Sequence, residues 1–297
     1  MKILVNNNVV SMDLPAIHSN DRGFLFGDGI FETIKVESGC LLFFQEHYRR
    51  LKISALKLEI PFKFSLLELK NQCMRLLKIN SLLKSAALRI TLTRGISQTG
   101  FQTPLDTLPP PTLVIRSTPY GDPCGRFDST SSSSSTLHVV TSVKRNESSL
   151  LNRVKTLNRL EFVLTRQKAV RAGYQEGLML NTKGAVSETS IGNLFAVIDG
   201  KIFTPRIEDG IFPGIVRAIV IRISAQIGNS VVEEKTLYPE DLLEATEIFQ
   251  TNSLVGIQPF SKINRHVLLL KEKAAKTRFF FDRYQNCKEE YIKFCSD

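Results

Sequence analysis

A chain of 297 residues, 42% hydrophobic and 23% charged, exceeds the usual size of one hydrophobic core, so two domains are expected. Its 39 Lys and Arg against 29 Asp and Glu give a formal charge of +10, but the basic residues are scattered and carry no nucleic-acid-binding signature. That distribution favours a small anionic ligand over nucleic acid. No apolar run approaches the ~18 residues of a membrane span, and the apolar start of the chain is too short for a signal peptide, so no membrane partner and a cytoplasmic location are expected. Five cysteines (Cys40, Cys73, Cys124, Cys287, Cys295) are widely spread and never spaced Cys-x-x-Cys; they read as free thiols. The four histidines lack His-x-x-x-His spacing, and no metal site is expected.

In chain order, residues 3–10 predict an opening hairpin around Asn6-Asn7-Asn8, and residues 30–36 a strand. The apolar period becomes helical over 45–57 and again over 65–80, then returns to strand character at 86–93 and 111–117. This describes a small α+β domain over residues 1–118. Residues 119–136 are rich in Gly, Pro, Asp and Ser, with a serine run at 131–135, and predict an interdomain linker. The larger domain, 137–297, opens with a strand at 137–143 and a helix at 158–171. Strands follow at 178–180, 193–198 and 201–204, then a helix at 215–227, a strand at 247–250 and a carboxyl-terminal helix at 267–294.

No Walker loop, Gly-x-Gly-x-x-Gly, Gly-x-Ser-x-Gly or His-Glu-x-x-His is present. Candidate chemistry therefore rests on isolated polar residues. Lys155, between Arg153 and Arg159, is either a solvated lysine or one whose amine is made nucleophilic by neighbouring cations and partial burial. Glu188 stands among small residues before an apolar strand and is either a turn residue or the partner of a buried cation. Phe212-Pro213-Gly214-Ile215-Val216 opens a helix whose first N–H groups could bind phosphate or simply mark a helix start. Arg50, three residues after His47, is either a surface arginine or a contact for an anion.

Taken together these residues resemble a known family. Phe26-Gly27-Asp28-Gly29-Ile30-Phe31-Glu32-Thr33, His47-x-x-Arg50-Leu51, Lys155-Thr156-Leu157-Asn158, Glu188-x-x-x-x-Asn193-Leu194-Phe195, Thr204-Pro205, Gly214-Ile215-Val216-Arg217 and Thr251-Asn252-Ser253 are similar, in order and spacing, to class IV aminotransferases, the fold-type IV enzymes of pyridoxal 5'-phosphate. The resemblance implies an α+β, two-domain, D-amino-acid aminotransferase-like fold: a small α+β domain, a larger domain with a barrel-like β core, and a homodimer. It implies that Lys155 is the Schiff-base lysine of the larger domain, that Glu188 pairs with the pyridine nitrogen, and that Arg50, the N–H groups of Ile215 and Val216, Ser253 and Asn252 hold the phosphate.

The family includes branched-chain aminotransferases, D-amino-acid aminotransferases and 4-amino-4-deoxychorismate lyases. The D-amino-acid branch tends to carry Tyr where Phe31 stands, and the branched-chain branch commonly has Tyr at the position of Arg159. Lys155-Thr156-Leu157-Asn158-Arg159-Leu160-Glu161 is similar instead to the lyase pattern, and an added cation suits a dicarboxylate substrate. The expected activity is thus the pyridoxal-phosphate-dependent cleavage of aminodeoxychorismate to p-aminobenzoate and pyruvate, a step of folate biosynthesis. Phe31, Arg94 and Arg159 are the expected substrate contacts. The alternatives are an aminotransferase of the same family and a non-catalytic anion-binding protein on this fold.

Overall fold

The computed structural model describes residues 1–97, 100–102, 110–121, 135–227, 231–269 and 274–296. The chain divides into two compact units, one comprising Met1–Gly121, Val154–Asn158 and Glu290–Asp297, the other Asp122–Arg153 and Arg159–Glu289.

The first unit is built on a six-stranded sheet. Its strands are β1 (Lys2–Val5), β2 (Asn8–Ser11), β3 (Gly29–Glu37), β4 (Cys40–Leu41), β5 (Ser85–Thr93) and β6 (Thr112–Pro119), and its helices α1 (Arg22–Phe26), α2 (Phe44–Lys57) and α3 (Leu66–Ile79). The spatial order is β2-β1-β6-β5-β3-β4. Along β5 the alternation of Ala86, Leu88, Ile90 and Leu92 buries one face. These residues join Ile30, Ile34 and Val36 of β3, Leu51 and Ala55 of α2, and Leu69, Cys73, Leu76 and Leu77 of α3 in one core. A capping box fixes the start of α3: the Ser65 side chain accepts from the Glu68 N–H, and Glu68 accepts from the Ser65 N–H.

The second unit carries a nine-stranded mixed sheet. Its strands are β7 (Ser135–Arg145), β8 (Glu176–Asn181), β9 (Val186–Thr189), β10 (Asn193–Ile198), β11 (Lys201–Thr204), β12 (Val232–Glu234), β13 (Glu247–Asn252), β14 (Gly256–Ile263) and β15 (His266–Val267), with helices α4 (Leu160–Arg171), α5 (Ile215–Ile227) and α6 (Ala275–Ser296), the last of which passes to the first unit at Glu290. The order is β12-β11-β10-β13-β14-β7-β8-β9, with β15 on β14. Strands β7 and β8 are parallel and need a crossover, which α4 supplies. Glycine at 210 is required by the backbone: φ is +87° there, and a Cβ would lie 3.0 Å from Glu147 Cα.

Four expectations change. The sequence places 137–297 in one domain carrying Lys155, whereas Val154–Asn158 groups with the first unit. The reason is backbone pairing: Phe31 N–H donates to the Lys155 carbonyl and Leu157 N–H to the Gly29 carbonyl, both at 2.9 Å, so these residues extend the sheet beside β3. Cys40 and Cys295 form a disulfide, their Cα atoms 5.9 Å apart, because the end of α6 lies against β4 within the first unit; Cys73 stays a buried thiol. Cys124 lies outside the described residues, as do residues 122–134 of the expected linker with 131–134 of the serine run, while Ser135 opens β7. The last helix starts at Ala275 rather than 267, since His266 and Val267 pair with β14. Among the described residues no helix is long and apolar enough to cross a membrane, and no cluster of His, Cys, Asp and Glu could hold a metal ion.

Candidate active site

In the first unit the outer face of the sheet carries Phe31, and the Lys155 amine lies 4.9 Å from the centre of its ring. The guanidinium carbon of Arg89 stands 3.6 Å from the same ring centre. Arg89 is reached from β5 by alternation, on the face opposite the core, and Arg116 is its register partner on β6. Its Nε donates to Thr91 Oγ1 at 3.3 Å, and among the described residues it makes no ion pair. Burial, with Arg116 adding to it, pushes the Arg89 guanidinium below its ordinary value, so an anion arriving there would be favoured.

Behind Phe31, on the core face of β3, Glu32 is 1% exposed. It accepts from Arg50 Nε and Nη2, each at 2.7 Å, and from His47 Nδ1 at 2.7 Å. Helical spacing of three residues puts His47 and Arg50 on one face of α2, toward β3. Burial works against the Glu32 charge, but the charge and hydrogen bonds of Arg50 and the bond from His47 outweigh it, holding the carboxyl far below the usual range. Burial likewise pushes His47 below its ordinary value, more strongly than Glu32 raises it, with Arg50 and Lys155 adding to the lowering. A carboxylate only accepts, so the neutral imidazole carries its proton on Nδ1.

Arg94 has a different setting. Its Nε donates to Asp28 Oδ2 at 2.8 Å, Nη1 to the Glu59 carbonyl at 2.8 Å and Nη2 to the Leu58 carbonyl at 2.7 Å. Arg22 shares the same Asp28 oxygen at 2.8 Å. These bonds tie the Gly27-Asp28 turn to the end of α2.

In the second unit Glu188 is 3% exposed on β9. Its Oε1 accepts from the Phe212 N–H at 3.1 Å and lies 3.3 Å from Arg145 Nη2; its Oε2 is 3.4 Å from Asn193 Nδ2. Asn193 also donates to the Phe212 carbonyl at 2.8 Å, and a Cβ on Gly214 would lie 2.1 Å from Asn193 Oδ1, so only glycine allows this packing ahead of α5. Ile215 and Val216 form the first turn of α5, where N–H groups have no acceptor four residues back. At the end of β13, Asn252 Oδ1 accepts from the Leu254 and Val255 N–H groups, both at 3.0 Å, which shapes the turn that presents Ser253. Arg159 precedes α4 without a side-chain capping bond, and its guanidinium carbon lies 4.5 and 5.8 Å from the Phe162 and Phe212 ring centres.

The structure therefore groups Lys155, Phe31 and Arg50 in the first unit, and Glu188, Arg159, Ile215, Val216, Asn252 and Ser253 in the second. Sequence reasoning missed Arg89, Glu32 and Arg145. An arginine at an outward position of the alternating Ala-Ala-Leu-Arg-Ile-Thr-Leu-Thr was the available signal for the first.

The family described as amino-transferase class IV matches residues 29–263. The aminodeoxychorismate lyase of Bacillus subtilis is 30% identical over 267 residues, 88% of this chain and 86% of that protein. The D-alanine aminotransferase of Bacillus licheniformis is 29% identical over 265 residues, 89% of each. The crystal structure of the Escherichia coli branched-chain amino acid aminotransferase matches with a TM-score of 0.85 and 26% identity, covering 97% of this chain and 94% of that one.

Proposed function

The chain belongs to the class IV aminotransferases, which use pyridoxal phosphate, and from that membership we propose that it is a 4-amino-4-deoxychorismate lyase, releasing p-aminobenzoate and pyruvate for folate biosynthesis. The observation that carries the choice is Arg89, whose guanidinium lies on the Phe31 ring beside Lys155 and makes no ion pair among the described residues; Arg159, against Phe162 and Phe212 in the other unit, is the added cation of the lyase pattern. A dicarboxylate suits two such cations better than an aliphatic side chain does. Arg89 takes the place of Arg94 as substrate contact in this reading, because each Arg94 nitrogen already donates within its unit.

The residues present fit the cofactor: a buried carboxylate at Glu188, a helix start kept open by Gly214, and an amine at Lys155. Lys155 would hold the aldehyde carbon, Glu188 the ring nitrogen, and the Ile215 and Val216 N–H groups with Ser253 and Arg50 the phosphate; Asn252 supports that turn. When bound, the cofactor supplies an electron sink for the carbon bearing the substrate's amine. The Lys155 amine would be the base that takes the proton from this carbon. Glu188 keeps a negative charge where a cationic ring nitrogen needs it. Arg89 and Arg159 orient the substrate through its carboxylates, and the Phe31 ring supports Arg89 and Lys155 alike. A homodimer belongs to this reading; Leu160, Val163 and Leu164 of α4, spaced as one helical stripe, are exposed and could be covered by a second copy.

A purified enzyme that turns over aminodeoxychorismate, and neither leucine nor D-alanine, supports the lyase. Multiple-turnover transfer from leucine or D-alanine to 2-oxoglutarate, without pyruvate from aminodeoxychorismate, would make it an aminotransferase.

A further inference from the structure

Arg145 is a buried cation of the second unit with several partners. It is 4% exposed, and its guanidinium carbon stands 4.8 Å from the centre of the Phe162 ring. Its Nε and Nη2 both donate to the Gly210 carbonyl, at 3.2 and 3.1 Å, and the left-handed backbone at Gly210 aims that carbonyl. Nη1 donates to the Glu161 carboxylate in a close ion pair, while Nη2 reaches Glu188 only at 3.3 Å. One buried guanidinium is thus divided between two carboxylates, and the nearer one is Glu161. Glu161 sits in the first turn of α4, where a carboxylate faces the free N–H groups of the helix start, and its side chain is 32% exposed.

We propose that Glu161 is a positioning residue for Glu188: by engaging Arg145 it leaves one net negative charge in the Glu161–Arg145–Glu188 group and so preserves the pull of Glu188 on a cationic ring nitrogen. Without the Glu161 charge the whole of Arg145 acts on Glu188, and the two cancel. Among the described residues the ion pair of Glu161 is with Arg145, and it acts through Arg145. The inference rests on the reading of Glu188 given above.

The test compares apoprotein affinity for pyridoxal phosphate with affinity for the analogue in which carbon replaces the ring nitrogen. Glu161→Gln should weaken binding of pyridoxal phosphate about tenfold, the effect of one pKa unit at the ring nitrogen, and leave the carbon analogue unchanged. Glu161→Asp should retain the wild-type ratio, and Glu161→Ala, which removes the charge by a second route, should lower it as Glu161→Gln does. Equal loss for both ligands in Glu161→Gln and Glu161→Ala would show a merely structural role and overturn the proposal. Glu188→Gln separates the two layers. If it abolishes the discrimination while the Glu161 variants keep it, only the Glu161 proposal falls; if Glu188→Gln leaves the ratio intact, the reading of Glu188 falls first.

Discussion

Each unit buries a glutamate beside an arginine, and the two arrangements differ in whether that arginine is shared. In the first, Glu32 takes Arg50 through two nitrogens at 2.7 Å and His47 at 2.7 Å. In the second, Glu188 accepts from the Phe212 N–H and from Asn193, and its arginine, 3.3 Å away, also serves Glu161 and Gly210. A bidentate, doubly supported carboxylate anchors α2 to β3 and positions Arg50. A carboxylate whose arginine is shared retains attraction for another cation. The same residue pair thus makes a structural joint in one unit and, in the proposed reading, the partner of a cationic ring nitrogen in the other.

The contrast breaks most visibly at Glu188. Glu188→Gln should cut turnover by roughly three orders of magnitude with little change in melting temperature, because a neutral amide keeps the shape and loses the charge. A large fall in melting temperature with near-normal turnover would reverse the roles given to the two glutamates.

Glu32→Gln should do the converse. Removing one partner of a buried pair leaves the Arg50 charge poorly matched, and about 3 kcal/mol of unfolding free energy should be lost in denaturant titration. Loosened Arg50 should also weaken cofactor retention, with part of the activity returning at high pyridoxal phosphate. Unchanged stability would show that the Glu32 joint does not hold the first unit together.

The pH dependence sharpens the same joint. Below His47's ordinary value of 6.5 the unfolded chain binds a proton that the folded chain resists. Below 4.5 the same holds at Glu32, whose folded carboxyl stays ionised to much lower pH. Both lowered groups make the unfolded state bind more protons, so stability is highest above these values and falls as pH drops. His47→Gln should flatten the portion of the loss that begins near 6.5 and keep the portion below 4.5. A wild-type curve flat from neutral pH to 4.5 would contradict the neutral, buried imidazole.

The smallest effect is expected at Arg159. Arg159→Tyr should raise KM for aminodeoxychorismate several-fold and leave cofactor affinity unchanged, as loss of one exposed-side carboxylate contact would. Equal loss of both would assign Arg159 to packing on Phe162 and Phe212.

How much of this was legible follows from the kind of signal each residue left. The alternation in β5 and the helical period of α2 were readable, and with them the placement of His47 and Arg50 on one face. Strand β9 was not, since Val-Ser-Glu-Thr carries a single large apolar residue and is buried through polar partners. The grouping of Lys155 with β3 depends on backbone bonds to Gly29 and Phe31, more than 120 residues away in sequence, which composition cannot report. The Cys40–Cys295 pairing, 255 residues apart, was hidden for the same reason. Arg94 and Arg89 look alike in sequence; only the carbonyls of Leu58 and Glu59 and the carboxylate of Asp28 show that Arg94 is occupied.

The most direct test of the lyase reading is product stoichiometry over many turnovers. Enzyme loaded with pyridoxal phosphate and given aminodeoxychorismate, with no keto acid added, should release pyruvate and p-aminobenzoate in equal amounts until substrate is exhausted, because elimination leaves the cofactor in its aldehyde form after each cycle. A single turnover that stops until 2-oxoglutarate is supplied would contradict it.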